Sequence, residues 1–374
     1  VPENEALSLQ ERLELLSASG VRIIDPRQTY VAPDVRLSRV HPGAVLHPGT
    51  RLGGPRCWLG PGATVGAEGP ATLVDTVLDE GASIASGYAS GAVLLRHASL
   101  GGNAHVRAGT LLEEQACTAH AVGLKQTILL SFVTLGSLIN FCDCLMAGGT
   151  SRQDHSEVGS GYIHFNFTPW GERGDKATPS LIGDVPRGVF LRERRVFLGG
   201  TGGLVGPATV GYGAVAGAGQ VVRIGIKENH LVLRPTPDVD RELAPNTTDR
   251  ARPRAERNVM YVGQLFALRE FYRQVRLPTT PQPRRPVIEE ALLNLGVCIA
   301  ERIRQLGRFL QERGLPAPVF ELADPPACPL PVAQVHEDHV AWVQGLGDGQ
   351  VAAGRQWLEQ IVDLVAKPVL AKLV

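Results

Sequence analysis

Between Leu94 and Leu124 an aliphatic or small residue recurs at every sixth position: Leu94, Leu100, Val106, Leu112, Thr118 and Leu124. A second unbroken run follows at Leu198, Leu204, Val210, Ala216 and Val222. A step of six matches neither the 3.6-residue turn of an α-helix nor the two-residue alternation of an ordinary strand. It fits a parallel β-helix of hexapeptides, in which each hexad supplies one short strand and one corner. One inward side chain per hexad then stacks on its equivalents in the neighbouring coils. Corners favour glycine, which accounts for many of the 43 glycines in 374 residues, and a hydrophobic share of 44% excludes a disordered chain.

Taken in order, the chain divides into three parts. Residues 1–20 hold a short amphipathic helix over 4–18, with Leu7, Leu9, Leu13 and Leu16 available for burial and Gly20 closing it. Residues 21–225 form the solenoid. Val31 to Leu37 is its first step, Val40, Leu46 and Leu52 resume the register, and Leu59 to Val65 and Leu78 to Ile84 continue it. From Lys125 to Phe197 the sixfold order is only partly visible, and polar, aromatic and charged residues concentrate there. Within this stretch a loop around 168–180, carrying Trp170, is expected to project from the solenoid. Residues 226–374 read as a Pro- and Arg-rich connector over 235–256 and then a mostly helical region, with helices over 257–276, 287–313, 332–345 and 350–372. In 287–313, Leu292, Leu295, Ile299, Ile303, Leu306 and Leu310 alternate by three and four, a stripe made for packing.

Composition narrows the functions. Lys and Arg number 37 and so do Asp and Glu, so overall charge indicates no nucleic-acid partner. No signal peptide and no run of 18 apolar residues is found, so a soluble, cytoplasmic protein without a membrane partner is expected. Six cysteines form no dense disulfide framework, which suits a reducing compartment. Cys142 and Cys144 lie two apart and in a strand face the same way; a single such pair is weak evidence for a metal, and no metal is assigned.

At GVRIIDPRQTYVAPDVRL and again in both ladders the chain resembles the acetyltransferase half of the bacterial bifunctional glucosamine-1-phosphate acetyltransferase/N-acetylglucosamine-1-phosphate uridyltransferase. The likeness covers roughly residues 5–225. It includes AHVRAG with a lysine eighteen residues after the arginine, GSGYIHFN, and FLGGTGGLVGPATVGYGAVAGAG. The nucleotidyltransferase domain of that family has no counterpart in these residues, so the uridylyl-transfer half is expected to be absent. The resemblance implies a left-handed β-helix that forms a homotrimer with active sites between subunits. It also implies acetyl-CoA, or another acyl-CoA, as donor and a sugar phosphate or nucleotide sugar as acceptor.

The resemblance assigns Arg107 and Lys125 to the sugar phosphate. Eighteen residues are three hexads, one full coil, so both side chains project from one face about 5 Å apart, the spacing of stacked strands. Two cations stacked in this way repel unless an anion lies between them. Asn166 matches a sugar-contacting asparagine of the family, and Lys176, in the projecting loop, stands in for a sugar-binding lysine. Gly200, Ala216 and Gly217 fall where the family cradles the pantetheine arm of the donor. Arg152 and His164 are added as substrate-binding candidates because polar residues replace ladder positions there.

One departure stands out. The family's general base is a histidine on the coil after the lysine, and none is found there. Counting back from Val158 puts Asp143 at that place; counting with the NFCDC strand puts Phe141 or Cys142 there. Removing a proton from an attacking amine suits a histidine, or a carboxylate whose pKa burial has raised. His155, between Asp154 and Glu157, and Asp143 are therefore the two candidate bases. Two other functions stay open: a binding or scaffold protein that kept the pocket and lost the base, and a metal enzyme of the carbonic anhydrase kind using histidines across a subunit interface.

Overall fold

The computed structural model describes residues 7–168, 174–235, 238, 240, 242 and 251–373. Its body is a parallel β-solenoid of about eleven turns. Eleven short strands stack into a first face, from Arg22–Ile23 to Leu231–Val232. The second and third faces form one 16-stranded sheet, because Gly123–Leu129 and Asn140–Met146 run round the corner between them without a break. Every member of the Leu94–Leu124 run points inward, Thr118 being the most exposed at 7%, and the Leu198–Val222 run is buried throughout. The last coil continues to Val232, past the expected end near Gly225.

The ladder does not stop between Lys125 and Phe197. Inward residues continue through Leu129, Leu135, Phe141, Met146 and Val158, each in register with the coils beside it. Two things hide the period in the sequence. Leu124 to Leu129 and Phe141 to Met146 are steps of five, and residues 147–156, like the described residues 166–168 and 174–179, are excursions between coils. The later excursion is pinned at its base, where Thr168 pairs with Asp175 and both meet Arg254. Trp170 lies outside the described residues.

Corner residues adopt left-handed backbone in steps of five and of six alike. Ala121, Leu138 and Thr201, at φ of 56°, 57° and 53°, turn the chain from the first face to the second. Gln126 (50°) and Asp143 (64°) do the same between second and third. Such φ values cost a non-glycine residue roughly 1–2 kcal/mol, offset here by coil-to-coil hydrogen bonding. The corner at Asp143 also breaks strand alternation, so Cys142 and Cys144 do not face the same way. Cys144 joins the solenoid core, whereas Cys142 stacks on Lys125. All six cysteines are free.

Helix α1 (Leu9–Ala18), capped by Ser8, covers the first coil, and α2 (Val185–Gly188) sits in a later excursion. The C-terminal region contains α3 (Ala251–Phe271), α4 (Leu277–Thr279), α5 (Arg285–Gln311), α6 (His339–Gly345) and α7 (Asp348–Leu370). Helix α3 starts inside the segment expected to be an extended connector. Of the three long helices, α3 and α5 lie against the third face and α7 packs on α3 and α2. There Trp58, Val77, Val93, Leu111, Ile128 and Leu145 form one apolar cluster with Leu265, Leu268, Leu295, Ile299, Trp357 and Ile361. Each such side chain contributes roughly 1.5–3 kcal/mol when fully buried. This explains why third-face strands are apolar on both sides, as in Thr110–Leu112, which is buried throughout.

Charge is buried at this junction as well. Arg276, at the end of a π-helical turn over Tyr272–Arg276, pairs with both Glu113 and Glu114 of one corner, and Tyr272 donates to Glu113 at 2.8 Å. Burial pushes the Glu113 carboxyl up, opposed by Arg276. Removing one partner of a buried set strands the others, at a cost of about 3–5 kcal/mol. Arg276→Met is therefore expected to lower unfolding free energy by about that amount in chemical denaturation. The triple variant that adds Glu113→Gln and Glu114→Gln is expected to recover most of it; a single variant as stable as the parent would show the cluster to be unimportant.

Candidate functional site

The second face displays two columns of outward residues. His105 pairs with Gly123 and Val106 with Leu124, so Arg107 stands over Lys125, and its amide donates to the Leu124 carbonyl at 2.9 Å. The next coil places Asn140 on Gly123 and Cys142 on Lys125. One column therefore runs Tyr88, His105, Gly123, Asn140, and its neighbour ends Arg107, Lys125, Cys142. Gly123 lacks a side chain, so it leaves a notch bordered by His105, Asn140 and the two cations. Among the described residues neither Arg107 nor Lys125 is ion-paired with a carboxylate.

The Cys142 thiol donates to Asn140 Oδ1 at 3.6 Å, and it is pushed up by burial first and by Asp143 second, against the pull of Arg107 and Lys125. The thiol form prevails at neutral pH, which removes Cys142 as a thiolate nucleophile.

The other candidates are placed as follows. Asp143 is 3% exposed beneath α5. Its Oδ1 lies 2.8 Å from Arg302 Nη2, and its Oδ2 accepts from Asn166 Nδ2 at 3.2 Å. Burial raises its carboxyl despite Arg302 and Asn166. The raised pKa suits a base, but both oxygens are engaged and closed off from the notch. Asn166 is half-buried and joins the site through Asp143. Lys176 is exposed, next to the pinned base of its loop.

His164 corrects the sequence expectation. It occupies an inward position between Phe141 and Leu204, 2% exposed, so it cannot touch a substrate. Its Nδ1 bonds the Cys142 carbonyl, Nε2 accepts from Ser180 Oγ at 2.8 Å, and burial lowers its pKa to about 4. Arg152 is likewise occupied, donating to the carbonyls of Gln115 and Phe132. It ties a turn, residues 149–155, to the corner between third and first faces. His155 lies on that turn, with Nδ1 at 2.8 Å from the Arg152 carbonyl and Nε2 3.5 Å from Glu157. It lines a cleft of about 660 Å³ with Arg194, Arg195 and Phe197, at a different corner from Arg107 and Lys125. Among the described residues, no group of three or more His, Cys, Asp or Glu is placed to hold a metal ion.

The glycines of the expected donor cradle have close neighbours of their own. A Cβ at Gly200 would lie 2.6 Å from the Ser160 carbonyl, and one at Gly217 would meet Leu233 at 2.2 Å. Ala216 is inward and fully buried. These small residues serve coil-to-coil approach, and only the main chain at Gly200 and Gly217 remains for a ligand.

Two features escaped the sequence. Arg302 comes from a helix that looked purely structural. It reaches the corner because Asn294, Cys298 and Arg302, four apart, lie on one helix face; Asn294 donates to the Thr110 carbonyl at 2.6 Å and Cys298 to that of Gly109 at 3.2 Å. The second is a hydrogen bond of 3.0 Å between His120 Nδ1 and Ser137 Oγ on the corner between first and second faces. The separation of seventeen residues is one coil in this part of the chain, as it is from Lys125 to Cys142.

Fold and surface together define a hexapeptide-type β-solenoid with a stacked cationic pair on one face and helices sealing another. The sequence is similar to proteins named Bifunctional protein GlmU. It is 26% identical to that of Fervidobacterium nodosum over 232 residues, covering 61% of this chain and 45% of the relative. It is 29% identical to that of Nocardia farcinica over 241 residues (64% and 43%) and 28% identical to that of Desulfitobacterium hafniense over 245 (62% and 48%). The chain thus spans less than half the length of these curated relatives. No family model matches it.

His164 generates a pH test. Its folded pKa, about 4, lies below the ordinary histidine value, so its contribution to stability is full above about 6.5 and is lost as pH falls toward 4. The loss amounts to roughly 3 kcal/mol at most. His164→Leu is expected to flatten the pH dependence of unfolding free energy between 6.5 and 4 by up to one proton; an unchanged slope would contradict the burial of a neutral imidazole. His41, His336 and His339, also lowered by burial, leave a residual slope.

Proposed function

We propose that the chain is an acyl-CoA-dependent transferase acting on a sugar phosphate or nucleotide sugar, with acetyl-CoA as donor and a homotrimer as the working unit. The observation that carries this is the Arg107–Lys125 stack. Two cations about one coil apart, each without a carboxylate partner among the described residues, repel by roughly 1–3 kcal/mol, and a phosphate removes that penalty. The notch at Gly123 lies beside them, with the Asn140 side chain at its edge, 3.5 Å from where a Cβ on Gly123 would stand. Similarity to the acetyltransferase half of the bifunctional relatives supports acyl transfer as the reaction. In this proposal Asn166 and Lys176 contact the sugar, and the main chain near Gly200 and Gly217 follows the pantetheine arm.

A second function is favoured by one specific observation. Asp143 is closed beneath α5, His164 lies in the core, and His155 stands at another corner, so neither proposed base reaches the notch within one protomer. A protein that binds sugar phosphates without transferring an acyl group would have this arrangement.

Calorimetric titration with glucosamine 1-phosphate and UDP-N-acetylglucosamine tests the shared part. Lys125→Ala is expected to cost about 2 kcal/mol, roughly 30-fold in Kd, the value of a charge-assisted hydrogen bond. Unchanged affinity would remove the site. Thiol release from acetyl-CoA in the presence of amino sugar phosphates separates the two functions: release supports the transferase, and tight binding without release supports the binding protein.

A further inference from the structure

The corner between the first and second faces carries a line of small and polar residues, one per coil: His120, Ser137, Ser160 and Gly200. Their register is fixed by the main chain, because Leu138, Gly161 and Thr201 donate in turn to the carbonyls of His120, Ser137 and Ser160. Ser137 is held from both sides, its amide donating to Ser160 Oγ at 3.1 Å and its Oγ bonding His120 Nδ1 at 3.0 Å. His120 is exposed, three residues before Gly123, on the side of the notch opposite Arg107 and Lys125. When Nδ1–H donates to Ser137 Oγ, the Nε2 lone pair is left free to accept a proton.

We propose that His120, positioned by Ser137, is the proton acceptor of acyl transfer at this face, an assignment that rests on the transferase function above. The acceptor's amine nitrogen attacks the thioester carbonyl carbon; the N–C bond forms and the C–S bond breaks. The amine passes one proton to His120 Nε2, and the leaving thiolate takes that proton, which returns His120 to its neutral form. The line to Gly200 gives His120 a place between the two substrates, since the phosphate anchor lies across the notch and the donor arm is assigned further down the same corner. His105 borders the notch too, but its ring stacks on Tyr88 of the preceding coil at 5.4 Å and 26°, turned away from Asn140. Ser137 is a positioning residue, because it acts on the reaction only through the imidazole.

The test measures thiol release from acetyl-CoA with glucosamine 1-phosphate across pH, alongside calorimetric Kd for the sugar phosphate. His120→Gln is expected to lower kcat by about 100-fold or more while leaving Kd within a few-fold. Ser137→Ala is expected to lose less and to move the acid limb of kcat/KM, which a merely structural serine would leave in place. His97→Gln, an exposed histidine on the corner between third and first faces, serves as the unaffected control. Wild-type kcat and acid limb in His120→Gln would overturn the assignment alone, as would loss of the acid limb in His105→Gln instead. A wild-type protein that releases no thiol overturns the transferase function and this assignment with it.

Discussion

Closure of each coil beneath the last governs everything else in this molecule. Once strands on three faces hydrogen-bond to their equivalents above and below, separation in sequence becomes adjacency in space. Residues seventeen or eighteen apart touch, and residues five or six apart turn to different faces. Inward positions must then be apolar and alike in size, because each stacks on the next at the spacing of strands, about 4.8 Å. His164 survives at such a position because both ring nitrogens have partners inside the core. A buried polar group without partners would cost far more than the apolar residue it replaces.

The helical region uses one face and shapes the rest. By burying the third face under α3 and α5, with α7 packed on α3, it leaves the first and second faces uncovered by these helices. Helix α5 runs along the edge of the second face and brings Arg302 to Asp143. That pair is buried on both sides, so its net contribution to stability is small and its chief effect is geometrical. Asn166 donates to the same carboxylate, which links the strand after His164 to the helical region at the border of the notch.

The solenoid was legible in the sequence wherever the hexads were perfect, and the Arg107–Lys125 stack was legible with it, because eighteen residues is a whole number of hexads. Legibility failed where a coil dropped one residue. A seventeen-residue coil shifts every later position, so Cys142 rather than Asp143 falls under Lys125, and His120 meets Ser137 across a gap that sixfold counting does not anticipate. The corner at Asp143 turned a strand-alternation rule into a wrong orientation for Cys144. Arg302 was illegible for a different reason. Its partner lies 159 residues earlier, and no local pattern of a packing helix encodes which corner of a solenoid it will follow.

The placement of charge argues for a ligand on the second face rather than under the helices. Arg276 and Arg302 are both buried cations, but each has carboxylates of this chain beside it. Among the described residues Arg107 and Lys125 have none, although Asp143 stands next to Cys142 on the same strand. Its carboxylate is held round the corner by α5, and Lys125 enters its electrostatics only behind Arg302 and Asn166. The corner thus keeps a nearby anion from neutralising the pair. A fold that needed the two cations for stability alone would gain from letting Asp143 swing toward them. Holding it away leaves the positive charge facing solvent, open to an anion such as the phosphate proposed above.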